Sequence, residues 1–194
     1  MSAPAFCRTQ LNDFGNNFLF HSMATGKVDC NVAQTSECLE LVKGIQLTAS
    51  QTRAFGGDLS GPTGTTLAVK VFQRFGMVAG IDFVRLHKVD VQRVRDLLGS
   101  GWYVVGFVDY GVINDNLIGA FSGAKTYRGV HAIGLAGWKR KDGKRVVWDY
   151  DPTFDGRHPG YPLGRQLAPF WLIREALASY AGPNLASGYA VKLP

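Results

Sequence analysis

Residues 28–41 read VDCNVAQTSECLEL, and the fold turns on whether they form a helix that opens with a cysteine. Val32, Leu39 and Val42 recur at helical spacing and predict a face turned to a core. Asp29 carries a short acceptor side chain that suits the N-cap of that helix. Gly44 supplies its stop. Cys30 then stands where backbone N–H groups lack intrahelical partners and the macrodipole is positive. Both features favour the thiolate, which is the reactive form. The competing reading is a buried and inert cysteine, and this segment alone leaves both open.

The chain has 194 residues, a hydrophobic fraction of 46% and a charged fraction of 19%. Those values fit one globular domain with a substantial core. No apolar run approaches the roughly 20 residues needed to span a bilayer, so no membrane partner is expected. The first ten residues, MSAPAFCRTQ, lack a basic segment followed by an apolar one, so no secretory signal is expected. The expected location is the cytoplasm as synthesised, with release by lysis or packaging into a particle as the routes outward.

The three cysteines, Cys7, Cys30 and Cys38, are too few for a disulfide framework. Cys30 and Cys38 lie about 12 Å apart along one helix and cannot bridge. They also lack zinc-site spacing. The formal net charge is +6, which favours anionic partners in general. The basic residues are scattered, and only Lys139, Arg140, Lys141, Lys144 and Arg145 cluster, astride a turn. That cluster reads as a solvated hairpin tip or as an anion-binding patch. No nucleic-acid motif is visible, and a nucleic-acid partner is not expected.

Outward from the cysteine helix, residues 1–27 read as an N-terminal arm with a short strand near Phe18 to His21, and 28–194 as a single domain. A second helix is expected over Thr48 to Phe55, then a Gly-rich loop to Gly64. Leu67, Val71 and Phe75 share a helical face. A strand follows over Asp82 to His87, and Asp90 caps a helix that buries Val91, Val94 and Leu98. Trp102 to Val108 is a strand rich in aromatic and β-branched residues. Asp109 to Gly129 reads as a long loop. Val130 to Trp138 and Arg145 to Asp151 form two strands about an Asp142-Gly143 turn. Pro152 to Arg165 is irregular, Leu167 to Tyr180 a helix with Leu167, Trp171, Arg174 and Leu177 on one stripe, and Tyr189 to Leu193 a last strand. Helices first and mainly antiparallel strands after them make an α+β fold.

His131 opens the strand HAIGLAGW, and the returning strand brings VVWDYDP with Asp149 and Asp151. A carboxylate beside a histidine can fix its tautomer and stabilise its charged form. A three-residue loop, Lys141 to Gly143, would set Ile133 opposite Asp151 and Leu135 opposite Asp149. Asp151 is then one same-face step from His131, and Asp149 two steps, roughly 13 Å. A two-residue loop would turn both away. Asp151 is therefore preferred, with Asp149 as the alternative; the competing reading is that Asp151-Pro152 only starts a turn.

The order of these motifs resembles a papain-like cysteine peptidase. "DC" at a helix start, "LLGSGWYVVGFV", "GVHAIGLAGW" and "VVWDYDP" are most similar to the branch that cleaves leader peptides in bacteriocin exporters. The resemblance implies a cysteine-bearing helix packed on a sheet that carries the histidine and aspartate. It implies Cys30 as nucleophile, His131 as general base and acid, and Asp151 as the residue that orients the ring. It implies hydrolysis of a peptide bond in a protein or in peptidoglycan, with no cofactor and no metal. That family places a glutamine five or six residues before the cysteine to bind the oxyanion. Here those positions hold Ala24 and Thr25, and Thr25 or His21 becomes the candidate donor. Asn31 also replaces the small residue usual after the cysteine. A catalytically silent module on the same fold, assembled with partners in a particle such as a phage virion, is the alternative these departures raise.

Overall fold

The computed structural model describes residues 30–59, 63–116, 128–141, 143–150 and 165–194. Three helices come first: α1 (Cys30–Lys43), α2 (Ala49–Gly56) and α3 (Thr65–Arg74). The chain continues as β1 (Phe83–Asp90), α4 (Val91–Gly99), β2 (Trp102–Asp109), α5 (Tyr110–Asn116), β3 (Val130–Lys141) and β4 (Lys144–Tyr150). It ends as β5 (Arg165–Pro169), α6 (Phe170–Ala181) and β6 (Leu185–Lys192). The strands form one sheet in the order β1-β6-β2-β3-β4-β5. Every pairing is antiparallel. The class is α+β, as expected.

Helices cover both faces of this sheet. Helices α1 and α3 pack through Val32, Leu39, Leu67 and Phe72 onto Tyr103, Val105, Phe107 and Tyr189, and Ala49 of α2 joins the same cluster. On the other face α4, α5 and α6 pack through Val94, Ile113 and Leu177 onto Val104, Val108, Ile133 and Leu135. Burial on both sides explains why β2 is apolar without alternation, since Tyr103 through Val108 are all buried. Asp90 accepts from the Gln92 amide and starts α4, as its sequence position implies.

The hairpin differs from the expected loop. Lys141 pairs with Lys144, so two residues and not three make the turn. Left alone, that register would reverse the faces. A bulge between Ala136 and Trp138 inserts one residue, with Gly137 at φ +50, and restores the pairing of Leu135 with Asp149. Two departures thus cancel, and Asp149 reaches the expected register position by another route.

Three further readings are corrected. Residues 110–116 are helical and not loop, because Asp109 caps them. Its Oδ1 accepts from the Gly111 amide at 2.9 Å. Residues 165–169 form an edge strand that ends on Pro169, where no ladder donor is required, so α6 starts at Phe170 and not at Leu167. The buried residues of α6 are Leu172, Ile173, Ala176, Leu177 and Ala181, which leaves Trp171 and Arg174 exposed. The expected arm, residues 1–27, and its strand near Phe18 to His21 lie outside the described residues.

Gly134 sets how closely α1 approaches the sheet. A Cβ there would overlap the Tyr103 hydroxyl and crowd Gln34 Oε1, and those two groups are hydrogen-bonded at 2.9 Å. Gly134→Ala is expected to cost about 1–3 kcal/mol by overpacking, read as a lowered midpoint in thermal unfolding. An unchanged midpoint would mean that α1 does not sit this close.

Candidate active site

Cys30 is the first residue of α1, where the sequence placed it. Asn31 fastens this end of the helix. Its Nδ2 donates to Thr63 Oγ1 and to the Gly64 carbonyl, both at 3.0 Å. Asn31 is itself buried, and its Oδ1 has no hydrogen-bond partner among the described residues. Asn31 thus anchors the start of α1 to the loop before α3.

His131 arrives from the other side of the fold. It is the second residue of β3, opposite Val108 of β2. The start of β3 lies before its described pairing with β4, which begins at Gly134. There the Ala132 amide donates to Cys30 Sγ at 3.4 Å, across 102 residues of chain. The structure therefore brings Cys30 and His131 together, two residues that only motif order linked in the sequence.

The electrostatics follow from the contacts. Burial of the thiol pushes its pKa up, the largest single influence. The charge of His131, a side-chain hydrogen bond with it, and the amides of Ala132 and Asn31 act the other way. Together they outweigh burial and hold the Cys30 thiol below its ordinary value of 9.0. A half-buried sulfur surrounded by donors is a site that favours thiolate. Cys38, by contrast, is fully buried in the apolar cluster that α1 packs into.

Sequence reasoning missed Tyr110. Its ring meets the His131 ring edge-on, with centroids 4.6 Å apart and planes at 64°. Such an edge-to-face contact restricts the tilt of the imidazole. Tyr110 is fully buried and opens α5. Its amide donates to the Gly129 carbonyl at 3.1 Å, which ties α5 to the start of β3. The available signal was an aromatic residue directly after a confident strand, overlooked because the segment read as loop.

The carboxylates are distributed as follows. Asp151, the preferred orienting residue, lies outside the described residues, as do Thr25 and His21. Asp149 stands opposite Leu135, two same-face positions along β3 from His131. Asp109 is near in sequence to Tyr110, but Gly111 and Ser179 occupy its two oxygens at 2.9 and 2.8 Å. It positions α5 against α6. Among the described residues no three His, Cys, Asp or Glu side chains group to hold a metal, and no helix is long and apolar enough to cross a membrane.

Neither protein-family models nor curated proteins give a match to this chain.

Proposed function

We propose that the protein is a papain-like cysteine peptidase or amidase that cleaves a peptide bond in a protein or in peptidoglycan. The observation that carries this reading is the meeting of Cys30 Sγ with His131 at a helix start, with the thiol held below its ordinary pKa. The thiolate attacks the amide carbonyl and forms a carbon–sulfur bond. The carbon–nitrogen bond then breaks as His131 gives its proton to the leaving amine. Water, deprotonated by His131, hydrolyses the thioester and returns the thiol. Asp151, or Asp149 in its place, orients the ring in this scheme. The backbone amide at Cys30 supplies one oxyanion donor, and Thr25 or His21 a second; loss of one such donor costs about 10²–10³ in rate.

A thioester intermediate can be intercepted. With hydroxylamine present, the wild type is expected to convert casein peptides or purified peptidoglycan into acyl hydroxamates, detected by mass spectrometry. Cys30→Ala should form none. Hydroxamate from that variant, or hydrolysis with no hydroxamate from the wild type, would refute the covalent route.

A second reading is a catalytically silent papain-like module that assembles with partners in a larger particle, for example a phage virion. The absence of glutamine five or six residues before Cys30 favours it. Synthesis in the cytoplasm followed by incorporation in a particle suits either reading. The two separate on alkylation by iodoacetamide near neutral pH. The enzyme should lose its Cys30 thiol rapidly and His131→Ala slowly, whereas an inert module should be indifferent to the substitution.

A further inference from the structure

On the sheet face opposite Cys30, a cleft of about 480 Å³ opens between α4, the start of β4 and the start of α6. None of its lining residues belongs to α1 or β3. Four cations border it: Arg95, Lys144, Arg145 and Arg174. Sequence alone separates these residues, and only Lys144 and Arg145 fall in the basic turn. The fold brings Arg95 of α4 and Arg174 of α6 to that turn. The one carboxylate on the lining, Asp90, is engaged with the Gln92 amide at 2.8 Å. The first turn of α6 adds no acidic residue. Arg95 is steadied along its own helix, donating to Gln92 Oε1 at 3.1 Å.

The cleft also carries a flat apolar surface. Trp171 lines it and is 47% exposed. Phe170 beside it packs against the core. Trp171 and Arg174 are three residues apart on α6 and are therefore neighbours on its surface. An exposed indole bordered by guanidinium groups is suited to a ligand that is both aromatic and anionic. Phosphate alone would use the cations and leave the ring in water. A base stacked on the indole with its phosphate among the cations uses both, which is how single-stranded nucleic acids are held without sequence preference. The volume lies in the range of small-ligand sites, about 300–1,000 Å³.

We propose that this cleft binds a nucleotide unit, with the base on Trp171 and the phosphate among Arg174, Lys144, Arg145 and Arg95. The unit comes from a free nucleotide or from a single-stranded nucleic acid, and the experiment separates these sources. Full-length protein is titrated by calorimetry with ATP and with inorganic pyrophosphate, and by anisotropy with labelled oligothymidylate. Binding of ATP alone identifies a free nucleotide. Tighter binding of the oligothymidylate, falling steeply between about 50 and about 200 mM salt, identifies a strand. In either case Trp171→Ala and Arg174→Ala should each weaken binding about tenfold, and Trp171→Phe should retain most of it. Both residues are exposed, so thermal unfolding should be unchanged, and Cys30→Ala should bind as the wild type does. The proposal is overturned if neither ATP nor oligothymidylate binds. It is equally overturned if pyrophosphate binds as tightly as ATP, or if the Trp171 and Arg174 variants bind like the wild type.

Discussion

Cys30→Ala and His131→Ala are each expected to lower hydrolysis of casein peptides or peptidoglycan, whichever the protein turns over, by about 10⁴–10⁶-fold. In the proposed mechanism the nucleophile and its proton acceptor act as one unit, so the double variant should be little worse than either single one. The alanine at position 30 removes only a half-buried sulfur from the first turn of α1, and far-UV circular dichroism should not change. His131 is buried against Tyr110, so His131→Gln is the companion variant that preserves packing while removing the base. Turnover above about one hundredth of the wild-type rate in Cys30→Ala would be incompatible with covalent catalysis at this residue.

The second large effect concerns Glu37, which lies on α1 and is buried. Burial raises its pKa most, Glu40 one turn on raises it further, and a hydrogen bond with Tyr103 opposes them. The carboxyl is pushed from 4.5 up to about 8. Between those values the folded protein keeps a proton that the unfolded chain releases. Stability therefore falls as pH rises through that window, and the loss is complete above about pH 8. One unit being worth about 1.36 kcal/mol, the whole window corresponds to an upper bound of about 5 kcal/mol. Glu37→Gln removes the titration. Its unfolding free energy above pH 8 should exceed the wild type's by about 2–5 kcal/mol, with little difference near pH 4.5. Denaturant unfolding at the two pH values measures this, and equal pH dependence in both proteins would show that Glu37 ionises freely.

Glu37 also marks where the sequence was hardest to read. The expected α1 had one apolar stripe, yet Asn31, Gln34, Thr35, Ser36, Glu37 and Glu40 are buried as well. Hydrophobic periodicity cannot anticipate a helix enclosed on most sides, some of whose polar groups find internal partners. Thr35 Oγ1 donates to the Asn31 carbonyl at 2.7 Å, and Ser36 Oγ to the Leu47 carbonyl at 2.9 Å. Elements with strong local signals were legible. The α4 stripe of Val91, Val94 and Leu98 and the β2 run of aromatic and β-branched residues are where the pattern put them. Strand β5 was not legible, because five edge residues ending in proline carry no alternation. Helix α5 was hidden by its glycine and asparagines and depends on an Asp109 cap that only the fold makes evident.

For the site, the sequence supplied residue types and order, and the fold supplied proximity. Cys30 was legible from its place at a helix start, and His131 from its place at a strand start. Their contact joins the start of α1 to the start of β3, which no local pattern encodes. The relation of Asp149 to Leu135 depends on a bulge at Gly137 that compensates a two-residue turn. A glycine inside a strand pattern was the only hint of it.

Ultraviolet titration of the thiolate band, taken as the difference between the wild type and Cys30→Ser, measures the Cys30–His131 pairing without any substrate. The wild-type midpoint should lie below the ordinary thiol value of 9.0. In His131→Ala the midpoint should rise, because burial remains while the opposing charge is gone. A wild-type midpoint at or above the ordinary value, or one that His131→Ala leaves in place, would contradict a thiolate held by that imidazole.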